Sequence, residues 1–557
     1  MRPGLGAGLG VVVLGAAACG PGPCGEGMAR LATGACVPIV ETGGPDAHPY
    51  TPLPPGRLLR RMSLDLLGEL PDPAAVESVT ADPATLGVWR ADLLADPALE
   101  DRLVHLLHEV WHTRVDELLI HHFEYPHLAT DDTVEYAYER AIGEEPLRLM
   151  ARVVVEDRPW TDILIVDWTL APPLLEGIWP VAQDAPSEGW AVAHYTDARP
   201  PAGILSTNGL WWRYYTTASN YNRARAAVLS RLLVCDDILA RPVSFEAVED
   251  ADDASEDAVR TSRECIGCHA TVDPTAAALF GFYTTTPNAG EDNARYHPER
   301  ARNAAATLGV EPAWYGRPVD GLSGLGRAIA EDPRFVSCAT ETFARLLWRV
   351  PSGAASAAEL SALERAFLDD GLRVRGLLDA ILQTPRYQAG SASDGGLDPT
   401  ARMLRPDQLA RSVEALTGFA WAWEGFEQLD SDTWGYRLLL GGVDGIQVTS
   451  PQEEPSLTTA AVHRSVAWAA GSTLAARAFA GEETILGAID AATVPGDAAF
   501  ASAVRQLSLA AHGQPPDDTL STQLSALWTD AAATAGAETA WAALVAAILT
   551  DPLFLTY

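Results

Sequence analysis

From position 56 onward, apolar residues recur every three or four places, and stretches of strict alternation are few. That periodicity restricts the chain to a mainly α fold. Helices are expected over about residues 57–67, 97–120, 134–156, 222–239, 325–349 and 357–383, with Pro71 and Pro73 stopping the first. Residues 160–168 alternate, 175–220 read as an aromatic loop region, and 283–318 as mostly irregular. A length of 557 residues accommodates two to four domains with cores of their own. The expected division is a leader over 1–18, a Cys/Pro/Gly-rich linker over 19–55, an N-terminal helical domain over 56–175, a central domain over 176–395 and a C-terminal helical domain over 396–557. These are multi-domain helical bundles with long irregular loops. The last two blocks end alike: LLDAILQTPRY at 377–387 and LVAAILTDPLF at 544–554 share five of eleven positions. The glycines at 441, 442 and 445 read as a tight turn, since no lysine follows to make a phosphate loop.

Within the central block stands one Cys-x-x-Cys-His, Cys265-Ile266-Gly267-Cys268-His269. This is the attachment signature of a c-type haem: the two thiols add to the haem vinyl groups and the adjacent imidazole reaches the iron. Spacing of three and four along a helix turns all three side chains the same way. A zinc site would need further ligands, and no second Cys-x-x-Cys exists. A redox dithiol of the thioredoxin type would need a βαβ setting, which this region lacks; an inert pair is the remaining reading. His269 is the proximal iron ligand on the haem reading. Asp273 and Pro274 read as the turn that follows, either as a plain helix stop or with Asp273 orienting the imidazole.

Candidates for a distal ligand are fewer. His105, His108 and His112 are spaced to share one helix face beside Glu109, a row able to bind a metal or the far side of a haem, although a solvated face is the commoner use. His297 lies where a returning loop could bring it over the iron. His121, His122 and His127 add candidates without specificity, and Met28, Met62, Met150 and Met403 read as core before ligand. Trp211-Trp212 reads as core before cleft.

The start of the chain points the same way. Met1-Arg2 precedes an apolar or glycine run over 5–18, too short to span a bilayer and suited to a leader. Ala16-Ala17-Ala18 before Cys19 is close to a lipobox, with Ala16 where Leu is usual. The expectation is an exported lipoprotein held in the outer membrane by lipid on Cys19, facing the periplasm or the cell surface; cleavage after Ala18 without lipid is the alternative. Covalent haem attachment in bacteria also occurs outside the cytoplasm. In an oxidising compartment the other cysteines are expected to pair, Cys24 with Cys36 and Cys235 with Cys338, the last two otherwise being buried free thiols.

Net charge is −35, and all 39 basic residues are arginine. Without lysine the chain has no Schiff-base or Walker-type chemistry. Its acidity argues against nucleic acid as a partner and suits solubility first, a basic redox partner protein or a cationic substrate second. No Gly-x-Ser-x-Gly elbow is present.

Several phrases in order resemble the planctomycete-type cytochrome-associated families of unknown function. RLLRRMSLDLLGELPDPAAVESV at 57–79 is similar to their N-terminal helical domain, DRPWTDILIVDWTL at 157–170 and PAGILS at 201–206 to two further family phrases, CIGCHATVDP at 265–274 to their haem segment, and RMLRPDQLARSVEALTG at 402–418 to their C-terminal helical domain. The family continues from Asp-Pro into a Gly-Phe-Ala-Leu-Glu type stretch, where this chain has TAAALFGFY. The resemblance implies an exported helical protein carrying one covalent haem c, and no particular reaction. The expected role is electron transfer in the cell envelope. A haem-dependent oxidoreductase or peroxidase acting on an external substrate, and a non-catalytic surface binding or scaffold protein, are the alternatives.

Overall fold

The computed structural model describes residues 28–30, 36–38, 50–115, 132–241, 263–284, 290–350, 353–392, 402–423, 426–431 and 435–557. The fold is mainly α. Its sheets have only two or three short strands, and every pairing among the described residues is antiparallel. No helix among the described residues is long and apolar enough to cross a membrane.

The helix Pro55–Leu66 opens on proline at its first position, where the missing N–H costs nothing. It is buried on nearly all sides, Arg60, Arg61 and Asp65 included. The reason is its place between two cores. Leu58, Leu59, Met62 and Leu66 join the larger apolar cluster, while Leu64 joins the cluster of the C-terminal block. The larger cluster draws on both sides of residue 175, from Leu103 and Met150 to Leu229, Phe343 and Leu377. In the C-terminal block the helices Leu457–Phe479 and Ala537–Thr550 pack closely through alanine and glycine.

Several boundaries differ from expectation, each for a local reason. The helix expected to reach residue 120 is Leu99–Trp111, and it stops because His112 turns left-handed at φ 51°. The segment at 283–318 holds three short helices, Gly290–Asn293, Pro298–Arg302 and Ala304–Leu308, and a hairpin pairing Ala313–Trp314 with Arg317–Pro318. Residues 160–164 form a 3-10 turn, and the aromatic region beyond contains a three-stranded sheet with Ala191–Tyr195 in the middle, flanked by Thr169–Ala171 and Val181–Gln183.

The expected Cys235–Cys338 disulfide is present, with Cα atoms 5.3 Å apart. Cys235 caps the helix Arg223–Val234 and Cys338 lies in Pro333–Trp348. The repeated phrase also has one shape in both places. Val374–Leu382 leads through the cap Thr384 into Pro385–Gln388; Ala537–Thr550 leads through the cap Asp551 into Pro552–Leu555. The closing aromatics, Tyr387 and Phe554, are both buried.

Candidate cofactor-attachment site

The Cys-x-x-Cys-His segment lies in the first turns of the helix Arg263–Ala278. One side of that helix is apolar: Val272, Ala276 and Ala277 are buried with Ala226, Ile238, Phe280, Ala304 and Leu308. Cys268, Tyr221 and Tyr283 pack on the rim of this cluster. The rings of Tyr221, Tyr283 and Phe280 stack in sequence, with centroids 5.6 and 4.6 Å apart.

Cys265 and Cys268 are both free thiols and both half-buried. Between them Ile266 is exposed, and the space in front of Gly267 is open. The Gly267 carbonyl is held from behind by Arg241, at 3.0 Å, and Arg241 is paired with Asp236. The sulfurs therefore sit on a helix that is anchored along one side and accessible along another.

The Nδ1–H of His269 donates to Asp273 Oδ1 at 2.9 Å. Since a carboxylate only accepts, Nδ1 carries the proton of this bond, and in the neutral ring it is Nε2 that has the lone pair. Asp273 is 2% exposed and is also held by Arg223, Nε to Oδ1 at 2.7 Å and Nη2 to Oδ2 at 3.3 Å. Burial alone would raise its affinity for a proton; the bonds from His269 and Arg223 outweigh that and hold the carboxyl below the ordinary range. The Asp-Pro pair is not a helix stop. The helix runs through Pro274 to Ala278, with Thr275 Oγ1 bonded back to the Thr271 carbonyl.

No family model, curated protein or solved structure matches this chain. The site itself offers two free, half-buried thiols about one helical turn apart and, beside them, one imidazole oriented through Nδ1 by Asp273.

The other histidines lie in different surroundings. His297 has both ring nitrogens engaged, Nε2 at 2.9 Å from the Asp292 carbonyl and Nδ1 at 3.2 Å from Glu299. His105 and His108 lie on the helix Leu99–Trp111, and His112 is its left-handed cap. His112 Nε2 donates to the Glu109 and Thr449 carbonyls at 3.0 Å, and His108 Nδ1 accepts from the Arg114 main-chain N–H at 3.3 Å. Burial, Arg231 and Arg213 press His112 down to about 4; burial and Arg114, against the pull of Asp407, do the same for His105. His108 is lowered further by burial, Arg437 and Arg114. These are neutral rings among guanidinium groups. No group of three or more His, Cys, Asp or Glu able to hold a metal ion occurs among the described residues.

Met62, Met150 and Met403 are buried core, and Trp211 is buried with its indole N–H on the Leu205 carbonyl. Cys19, Cys24, His121, His122 and His127 lie outside the described residues, as does the expected Cys24–Cys36 bond; Cys36 begins a short strand paired with Met28–Arg30.

A second polar centre has no sequence signal. Glu145 is 1% exposed and accepts from Tyr195 at 2.6 Å, Thr169 at 3.0 Å and the Gly209 N–H at 2.9 Å. Burial pushes its carboxyl up to about 7. Tyr195 and Thr169 also line an open cleft of ≈ 390 Å³ with Asp167, Trp168, Arg199 and Ser206. The polar groups there are already bonded to one another: the Arg199 guanidinium serves Asp197, Asn208 and two carbonyls, and the Ser206 hydroxyl serves Pro200.

Proposed function

We propose that this chain is an exported c-type monohaem protein that transfers electrons in the cell envelope. One observation carries the reading: two free thiols and an imidazole share one helix, and the imidazole's Nδ1–H is committed to a buried carboxylate while Nε2 is left to bind. That donor set fits a covalently held haem. Cys265 and Cys268 would hold it by thioether bonds, and His269 Nε2 would ligate its iron. Bound there, the haem supplies one-electron chemistry. The residues do the rest. Asp273 fixes the tautomer and the plane of the imidazole. The apolar cluster under Val272 and Ala276 holds the helix rigid. The net charge of −35 favours a basic redox partner. The leader and Cys19 support anchoring by lipid in the outer membrane, facing the periplasm or outside.

The test is maturation in a host with a haem-attachment apparatus. The expected product gains the mass of one haem, keeps it after denaturation in acidic acetone, and gives a pyridine haemochrome band. Cys265→Ala with Cys268→Ala abolishes all three. Colourless wild-type protein overturns the proposal. Carbon monoxide binding by the reduced protein separates a six-coordinate carrier, which binds poorly, from a haem-dependent oxidoreductase with an open iron position.

A further inference from the structure

The His269 partner is a carboxylate, not a main-chain carbonyl, and that carboxylate belongs to a second pair. Asp273 comes from the helix Arg263–Ala278 and Arg223 from the start of the helix Arg223–Val234, so tertiary packing brings them together. Arg223 grips both Asp273 oxygens and lies over the Tyr221 ring at 5.4 Å. We propose that the Asp273–Arg223 pair sets the reduction potential of iron bound at His269, with Asp273 lowering it and Arg223 tempering that effect. The inference rests on the haem-attachment reading above.

A carboxylate that shares the Nδ1 proton gives the imidazole anionic character and makes Nε2 a stronger donor. A stronger axial donor favours the oxidised, more positive iron. Asp273 is almost fully buried, so little water screens its charge. Arg223 draws electron density toward itself through the same oxygen that accepts from His269. Asp273 is thus a positioning residue that acts on the iron through His269, and Arg223 acts through Asp273.

The experiment is potentiometric titration of matured wild type, Asp273→Asn, Asp273→Glu and Arg223→Gln, with haem content measured on each. The expected result is a midpoint shifted upward in Asp273→Asn, restored toward wild type in Asp273→Glu, and shifted downward in Arg223→Gln. Loosening of the helix alone would not move the two charge variants in opposite directions. Shifts of the same sign, or no shift with haem fully retained, overturn the inference and leave haem attachment standing. Absence of covalent haem from the wild type overturns both. Should Asp273→Asn not fold, the sign of the Arg223→Gln shift decides.

Discussion

The Arg60 guanidinium donates to the main-chain carbonyl of Phe554 at 2.7 Å, across almost the whole chain. Its neighbour Arg61 does the same to Tyr387, also at 2.7 Å. Phe554 and Tyr387 are the closing aromatics of the repeated phrase, so one helix reads the same turn twice, once in each block. Consecutive residues on a helix point about 100° apart, which lets adjacent arginines face two neighbours. Asp65 on the same helix completes the joint by accepting from the hydroxyls of Tyr387 at 2.9 Å and Tyr557 at 2.8 Å.

Replacing either arginine by methionine should therefore weaken the joint. The stem volume is kept, but the buried carbonyls of Phe554 or Tyr387 lose their donor. An unpaired buried acceptor costs about 1–3 kcal/mol. Urea unfolding of Arg60→Met and Arg61→Met is expected to show a loss of about 2 kcal/mol each. A midpoint equal to that of the parent would show that the joint holds without them.

How much of this was legible follows from where each signal lives. The helix Pro55–Leu66 announced itself because its apolar spacing is local. That Arg60 and Arg61 are its largest fully buried side chains did not, since arginine is mostly exposed and distant carbonyls, those of Phe554 and Thr556 for Arg60 and of Tyr387 and Ala389 for Arg61, make burial tolerable. The stop at His112 carries no Gly or Pro; it is held by contacts with Thr449 and with Arg213, which binds the His112 carbonyl at 2.8 Å. The pentapeptide at 265–269 is a chemical signature and needed no tertiary knowledge. Its neighbour Asp273 was readable as a ring partner from the i,i+4 spacing, yet Asp-Pro read equally as a stop. Proline inside a helix costs about 3 kcal/mol, and only burial of Val272, Ala276 and Ala277 carries the helix past it. Glu145 looked like one acid among many, because its isolation comes wholly from what packs over it.

The Cys235–Cys338 bond should be a major contributor to stability. It closes a loop with a sequence separation of 103, and removing a cross-link of that reach costs about 2–4 kcal/mol. Thermal unfolding of Cys235→Ala with Cys338→Ala is expected at a clearly lower temperature, and reductant should bring the wild type to the same value. A wild type indifferent to reductant would show that these thiols are not joined in the mature protein.

Acid should act through His463. It is 3% exposed on the helix Leu457–Phe479, and neither ring nitrogen has a partner among the described residues. Burial lowers its proton affinity from 6.5 to about 4. The folded state thus binds fewer protons than the unfolded chain between these values, so the neutral ring's stability is present above 6.5 and is lost as pH falls toward 4. His463→Leu removes two unsatisfied polar atoms and the titration together. At pH 7 it is expected to match or exceed wild-type stability by about 1 kcal/mol. Between pH 6.5 and 4 its denaturant midpoint should fall less than that of the wild type. Parallel pH profiles would place the acid sensitivity in other groups, His105, His112 and His512 foremost.

Gly471 tests the packing of the C-terminal core against intrinsic helix preference. In the middle of an exposed helix, alanine would be favoured over glycine by about 1 kcal/mol. Here a methyl group at position 471 would lie 2.5 Å from the Ala542 carbonyl oxygen and 3.2 Å from the Ala546 nitrogen, both main-chain atoms of the facing helix Ala537–Thr550. Backbone cannot rotate away as a side chain does, so the two helices must separate. Overpacking of this kind costs about 1–3 kcal/mol, enough to cancel or exceed the propensity gain. The separation would also open contacts around Trp541 and Leu474, both fully buried in the same core. Gly471→Ala is expected to unfold earlier in urea and to show weakened tryptophan near-UV dichroism, whereas Gly481→Ala is the wrong control, since glycine there has φ 79°. Gly87, with open space before it inside the helix Leu86–Ala95, is the right one: Gly87→Ala should gain the propensity term alone, and an equal gain at both sites would mean that the two helices are not so closely packed.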